Sequence, residues 1–172
     1  STITLPNSIK SIGRGVFYDC DTLKSVTLPT SITKIAEQTF YNCDFLQSVT
    51  IPKGVTEIGF DAFAYCPKLT TISLPSTLTT IGSNCFRGTG LTSITLTEGI
   101  TTLEYGTFAD SKLTSIKLPK SLTQIISRSD SYNAGNLPNE YYNFQKSVYI
   151  SSNQSGAFHN CKELESINVN GA

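Results

Sequence analysis

Residues Leu69 to Phe86 read LTTISLPSTLTTIGSNCF, and this stretch is one copy of a repeat that runs through the chain. Two markers show the repeat independently, because its phenylalanine recurs at spacings of 23, 23, 23, 22 and 50 residues and its opening leucine at 23, 23, 22, 22 and 51. The last leucine spacing is one period of 23 residues plus 28 more, so one copy carries an insertion. The markers are Phe17, Phe40, Phe63, Phe86, Phe108 and Phe158, with Leu23, Leu46, Leu69, Leu91, Leu113 and Leu164.

The repeat unit predicts a short strand followed by a turn. Ile72 and Leu74 alternate with polar residues, which is typical of a strand with one buried face. Pro75 follows and ends the strand, because it has no N–H for a ladder hydrogen bond. One unit cannot bury its own apolar residues, so we expect the units to stack as a solenoid with parallel strands about 4.8 Å apart. We also expect a short helical turn around each repeat phenylalanine, and a backbone position that excludes a Cβ atom at Gly13, Gly59 and Gly82.

The second half of the unit identifies a family resemblance. Residues 58–66 read IGFDAFAYC, and with the proline that follows every strand of the repeat but the one before Thr97 and the last they resemble the BspA-type leucine-rich repeat proteins. The resemblance implies an α/β solenoid, a right-handed superhelix of about six coils of 22–23 residues, mostly β and turn. The chain departs from many leucine-rich repeats at the inward asparagine, where we expect hydroxyls to bond buried backbone groups and glycines to interrupt that ladder. These positions are Ser8, Ser31, Gly54, Thr77, Gly99 and Ser121.

The repeat organises residues 1–172 as one solenoid fragment with an insertion at about 127–155. The chain opens inside a strand and closes after Val169, and neither end shows a polar capping unit. We interpret it as a piece of a longer chain or a mature product, and we expect end-to-end self-association. The insertion has two interpretations: a binding loop, or a surface excursion that folds back onto the solenoid, with an extra strand at 145–150 and a glycosylation sequon at Asn153. Its candidate binding residues are Tyr132, Tyr141, Tyr142, Phe144 and Tyr149.

Composition excludes several classes of function. Only 15% of residues are charged, the formal net charge is zero, and serine and threonine number 21 and 23, so hydroxyls replace charges. A neutral chain lacks the electrostatic footprint that nucleic acids or anionic membranes require. No apolar run approaches the roughly 20 residues of a membrane-spanning helix, so we expect no membrane insertion.

No arrangement of residues indicates an enzyme, a metal site or a cofactor. His159 is the single histidine, and it takes a variable position of the repeat, so we do not expect it to be catalytic, and no catalytic triad can be drawn without it. A ladder of cysteines spreads along the solenoid axis and does not converge on one ion. We favour reduced, buried thiols, although a bridge between neighbouring coils stays open. The repeat position three residues after the phenylalanine holds Cys20, Cys43, Cys66, Thr89, Ser111 and Cys161.

Outward positions of the strands form the candidate binding face. Stacking places them in two columns, and this predicts a flat, hydroxyl-rich surface. A purely structural interpretation is that threonine suits half-exposed strands and avoids stacked like charges. The first column is Lys24, Gln47, Thr70, Thr92, Thr114 and Glu165; the second is Thr4, Thr27, Thr50, Ser73, Thr95, Lys117 and Asn168.

Two functions follow as hypotheses. The resemblance implies a non-enzymatic protein-binding or adhesion module of a cell-surface or secreted protein, with host matrix proteins such as fibronectin or fibrinogen as partners. The alternative is a structural spacer that extends a longer solenoid and has no ligand of its own. Ice or carbohydrate binding by the threonine columns is a third idea, which Lys117 and Asn168 weaken because they interrupt a column.

Overall fold

The structure of the protein is a computed structural model that describes residues 1–126 and 156–169. Eleven short β-strands follow one another along these residues, and each inward side chain is flanked by outward polar ones. Inward Val26, Val49, Ile94 and Ile116 are buried, and β-branched residues of this kind favour extended backbone. The strands are β1 Thr2–Thr4, β2 Ser25–Thr27, β3 Lys34–Ile35, β4 Ser48–Thr50, β5 Glu57–Ile58, β6 Thr80–Ile81, β7 Ser93–Thr95, β8 Thr102–Leu103, β9 Ser115–Leu118, β10 Gln124–Ile125 and β11 Ser166–Val169.

The strands pair in parallel as two ladders on different sides of the coil. The first ladder consists of the sheets β1-β2-β4 and β7-β9-β11, and the second of β3-β5-β6 and β8-β10. The pairing is in register, so each residue lies beside the residue that takes the same position in the next coil. This is the predicted parallel solenoid of leucine-rich repeats, with its apolar side chains in one continuous core.

A third side of the coil carries a ladder that continues where the strand ladders stop. The amide of each of the first five repeat phenylalanines donates to a carbonyl of the next coil, for example Phe63 to Cys85 at 2.9 Å and Phe86 to Thr107 at 2.8 Å. The six phenylalanine rings stack with centroids 5.2 to 5.8 Å apart and interplanar angles of 7° to 14°. The backbone bonds and the ring stack therefore join all the described coils.

The predicted helical turns around the phenylalanines are hydrogen-bonded turns instead, and no helix occurs in residues 1–126 or 156–169. The cause is visible around Phe63. Asp61 and Tyr65 have φ angles of +54° and +58°, and left-handed residues cannot propagate a right-handed helix. The Phe63 amide also bonds to the next coil, whereas a helix would direct it to a carbonyl four residues earlier.

The first ladder has a gap at residues 70–74. The amides of these residues make no backbone hydrogen bond to any described residue, and Ile72 and Leu74 are only partly buried. Two sequence changes meet here: Pro67 stands where the first two coils have an aspartate, and the next coil is one residue shorter before its leucine. The backbone of Gly90 packs so closely on Pro67 that a Cβ atom would lie 2.3 Å from its carbonyl oxygen. We attribute the gap to this offset between successive coils.

The gap predicts fast amide exchange in the middle of the solenoid. In hydrogen exchange measured by mass spectrometry, we expect the peptide 70–74 to exchange at least about tenfold faster than the peptide 114–118, because unbonded amides need no opening step. The control peptide has bonded amides, since Thr114 donates to Thr92 at 2.8 Å and Ser115 to Thr92 at 3.3 Å. Equal protection of the two peptides would contradict the gap.

Three of the four hydroxyls predicted at the inward asparagine position bond to backbone carbonyls as expected from the sequence. Thr77 Oγ1 donates to the carbonyls of Lys53 at 2.6 Å and Val55 at 2.8 Å in the preceding coil. Ser31 bonds to Ile9 in the same way, and Ser121 bonds to Ile100. These hydroxyls satisfy carbonyl groups that the turn leaves unpaired, and the glycine copies contribute no such bond.

Candidate binding face

The second predicted column lies on the outer surface of the first ladder. Register pairing aligns Thr4 with Thr27 and Thr50 in one sheet, and Thr95 with Lys117 and Asn168 in the other. All of these side chains are exposed, as is Ser73 in the gap between the sheets. The side chains on the opposite side of each strand form the core, so the column is held on a rigid support.

A further column was missed by the sequence analysis. The residues before the inward valine or isoleucine are exposed or half-buried, and every one carries a hydroxyl. Two of these hydroxyls, Thr2 Oγ1 and Ser25 Oγ, lie 3.0 Å apart and share a hydrogen bond between coils. Period-two alternation centred on Val26 would have found this column, because both neighbours of an inward residue face outward. The column is Thr2, Ser25, Ser48, Thr71, Ser93, Ser115 and Ser166.

The first predicted column lies along the border of this surface. Its residues precede the strands. Outside the gap their carbonyls accept from the next coil, since Gln47 N donates to Lys24 O at 2.8 Å and Thr114 N to Thr92 O at 2.8 Å. The side chains are exposed apart from Thr114, which is partly buried and whose hydroxyl donates to Thr92 O at 3.0 Å. Thr70 is exposed within the gap. The three columns together are the hydroxyl face.

The hydroxyl face has few charges. Its charged members are Lys24, Lys117 and Glu165, and the remaining side chains are hydroxyls and amides. Such groups both donate and accept hydrogen bonds and exert little long-range field. The face is therefore suited to recognition by shape and hydrogen bonding, with slow, weakly steered association.

A second exposed surface surrounds the phenylalanine turns, and the sequence analysis did not single it out. Phe60 and Tyr65 are 40% and 38% exposed, and each ring lies beside a guanidinium: Arg14 is 5.4 Å from the centroid of Phe60, and Arg87 is 5.9 Å from that of Tyr65. Arg87 also pairs with Asp110 at 2.9 Å. Although partial burial opposes the effect, hydrogen bonds from Asn160 and Arg87 lower the pKa of Asp110. These arginines are already engaged within the chain.

The insertion lies outside the described residues, so its candidate residues Tyr132, Tyr141, Tyr142, Phe144 and Tyr149 have no structural account here. The residues that flank it are described. Ile126 donates to Leu103 at 2.8 Å, and the carbonyl of Gly156 accepts from Gly106 at 3.2 Å. A Cβ atom on Gly156 would lie 3.9 Å from the Ile126 carbonyl oxygen. The insertion therefore leaves and rejoins the solenoid at one place.

Four of the five cysteines are buried in the core. All five are free, and Cys43, Cys66, Cys85 and Cys161 are buried. Burial raises the pKa of the Cys85 thiol well above its usual range, so this thiol stays protonated. Within residues 1–126 and 156–169, no three metal-binding side chains converge on one point. No helix in the same part of the chain is long and apolar enough to cross a membrane.

Comparison with known proteins identifies the family. The model of the BspA type leucine rich repeat region matches residues 1–114 and 82–172, with six copies. The chain belongs to this family. Membership agrees with the resemblance that residues 58–66 indicate. No curated protein is similar enough to the chain to count as a match.

Solved structures of bacterial leucine-rich repeat proteins have the same fold. A protein from Bacteroides ovatus is 30% identical over 71% of this chain, with a TM-score of 0.61. A leucine rich cell surface protein from Faecalibacterium prausnitzii is 25% identical over 98% of the chain, with a TM-score of 0.63. The T. pallidum leucine rich repeat protein is 25% identical over 72%, with a TM-score of 0.64. The chain spans 40% of the B. ovatus protein and 47% of the F. prausnitzii protein.

Proposed function

We propose that this chain is a non-enzymatic protein-binding module of a cell-surface or secreted leucine-rich repeat protein, and that its hydroxyl face contacts the partner. One observation carries the proposal: the seven positions of the second column, from Thr4 to Asn168, all present exposed polar side chains on one side of the solenoid, over inward residues that are buried or packed against the core. A rigid surface of this kind loses little entropy on binding. The cell-surface description of the F. prausnitzii protein supports the location.

Direct binding to matrix proteins tests the proposal. We would immobilise fibronectin and fibrinogen separately and measure binding of the 172-residue chain by biolayer interferometry. A face variant carries Thr27→Arg and Thr95→Arg, which lie in different sheets and so do not repel each other across one ladder step. We expect it to weaken binding at least about tenfold, or about 1.4 kcal/mol, because each bulky charge prevents close approach of the partner.

A matched control introduces two arginines beside the second ladder, away from the hydroxyl face. Thr33→Arg and Thr101→Arg change two exposed threonines away from the hydroxyl face, and we expect affinity within about twofold of the parent chain. Equal loss in both variants would contradict a role for the face. No binding by the parent chain to either protein would contradict this pair of partners and favour the spacer interpretation.

A deletion separates the face from the insertion. Removing residues 127–154 restores a spacing of 22 residues between Phe108 and Phe158 and keeps Ser155 at the repeat position of Ser83. The closeness of Ile126 and Gly156 allows the coil to close after this deletion. We expect binding to persist. Loss of binding on deletion, with the face variant unaffected, would move the binding site to the insertion.

A further inference from the structure

Cys20 and Cys43 take the same repeat position on the first two coils, at a corner where the coils are closely spaced. The rings of Tyr18 and Tyr41 are 4.9 Å apart, and Asp19 donates to the Tyr41 carbonyl at 2.9 Å. The stacked rings of Phe17 and Phe40 are 5.2 Å apart on the other side of the corner. A disulfide needs Cα atoms about 4.4–6.8 Å apart, and the usual spacing of about 4.8 Å between parallel neighbours lies in that range.

The thiols of this repeat position are directed towards the preceding coil. Cys43 Sγ donates to the carbonyl of Phe17 at 3.0 Å, and Phe17 belongs to the same turn as Cys20. Later coils show how near such neighbours come, because Ser111 Oγ and Cys161 Sγ, which occupy this position on successive coils, are 3.5 Å apart. Side-chain atoms one coil apart therefore make direct contact at this corner.

Cys20 differs from the other cysteines in access. It is partly exposed, whereas the other four are buried, and its sulfur makes no hydrogen bond to any described residue. Burial, with the Cys43 thiol and the carboxylates of Asp21 and Asp19, raises the pKa of the Cys20 thiol. Because thiolate is the nucleophile, the Cys20 thiol reacts slowly at neutral pH and faster under mildly alkaline conditions.

We propose that Cys20 and Cys43 are a disulfide-forming pair, oxidised by small-molecule disulfides such as oxidised glutathione, with Cys20 reacting first. The Cys20 thiolate attacks one sulfur of the oxidant, the oxidant's S–S bond breaks, and one glutathione thiolate leaves and takes up a proton. Cys43 then gives up its proton and its bond to Phe17, and its thiolate attacks Cys20 Sγ. The second glutathione leaves. Two protein thiols lose two electrons, and one glutathione disulfide becomes two thiols.

The other cysteine pairs lack either a solvent-accessible thiol or a neighbouring cysteine at the same repeat position. Cys43 and Cys66 are neighbours on the ladder, but both are buried, so an external disulfide cannot start the exchange. Cys85 precedes its phenylalanine and takes a different repeat position. The neighbour of Cys161 at this position is Ser111, which has no sulfur. The structure therefore selects one pair among five cysteines.

The test uses the 172-residue chain in its native state. We would incubate it with oxidised glutathione at about pH 8.5, block free thiols with iodoacetamide in denaturant, and analyse intact mass and non-reduced peptides. The expected product has lost two hydrogens, retains three alkylated cysteines of the five, and yields a Cys20–Cys43 linked peptide. Arrest at glutathione on Cys20, a bridge that includes Cys66 or Cys85, or an intermolecular dimer would overturn the proposal.

Serine variants assign the order of reaction. Serine is compatible with this repeat position, because Ser111 already occupies it, so we expect these variants to fold. Cys43→Ser should stop at a mixed disulfide on Cys20, Cys20→Ser should retain four free thiols, and Cys66→Ser should form the bridge at the parent rate within about twofold. Bridge formation in Cys20→Ser, or its loss in Cys66→Ser, would show that a different pair reacts.

Discussion

Phe63→Ala is expected to destabilise the protein by about 3–5 kcal/mol, which is the usual loss when a fully buried phenylalanine is truncated. Phe63 has no solvent exposure, and its ring lies between those of Phe40 at 5.2 Å and Phe86 at 5.6 Å. The substitution removes two stacking contacts and opens a cavity in the middle of the column that joins the described coils. Since a small protein is stable by only about 5–15 kcal/mol, this loss is a large fraction of the total. Urea unfolding followed by far-UV circular dichroism measures it.

Phe60→Ala is the matched control, three residues away in the sequence. Phe60 is 40% exposed, and the guanidinium of Arg14 lies 5.4 Å from its ring centroid. We expect a loss of at most about 1 kcal/mol, the value of an exposed cation–π pair. Comparable losses for the two variants would show that the phenylalanine stack does not hold the solenoid together.

Gly82→Ala is expected to destabilise the protein by about 1–3 kcal/mol, because it forces a methyl group into a packed interior. The added Cβ would lie 2.5 Å from the Phe60 amide nitrogen and 2.7 Å from the Gly59 carbonyl carbon. These are backbone atoms of the preceding coil, so a change of rotamer cannot relieve the contact. Thermal and urea unfolding of the variant beside the parent chain measure the change in free energy.

Gly13→Ala is the control at the same repeat position, and we expect it to change the free energy of unfolding in the opposite direction. A Cβ on Gly13 would meet no atom within 4 Å, and its φ lies outside the left-handed region. Replacing glycine where the backbone tolerates alanine stabilises by about 0.4–1 kcal/mol, through the lost entropy of the unfolded chain. Destabilisation by Gly13→Ala, or a neutral Gly82→Ala, would contradict this account of coil-to-coil contact.

Gly13 and Gly82 also show which part of the prediction from the sequence was correct. It predicted a position that excludes a Cβ at Gly13, Gly59 and Gly82, and this prediction is confirmed at Gly59 and Gly82. It was wrong at Gly13, which has open space around it. Ala36 takes the same repeat position in the second coil, so the restriction depends on the neighbouring coil. A one-dimensional pattern records the repeat position but not the contacts of each copy.

The hydroxyl face was predicted in part for a similar reason. Alternation about Val26 indicates which residues face outward, and Thr27 was placed correctly on the exposed side. Ser25, on the other side of Val26, was overlooked because the columns were counted from the opening leucine. The gap at residues 70–74 was not predicted, since Leu69 to Pro75 match the repeat unit, and the contact between Gly90 and Pro67 was needed to show that the sequence changes around them offset the coils.

The sequence by itself determined the period, the parallel solenoid, the buried phenylalanines and the hydroxyl-rich outer face with few charges, because all of these follow from residues that recur every 22 or 23 positions. Only the tertiary structure decided that the turns contain left-handed residues in place of helices, that both strand ladders stop between the two halves, and that the phenylalanine side continues across. The reason is physical: a repeat specifies what each coil can bury, whereas the fit between coils depends on backbone contacts between residues far apart in sequence.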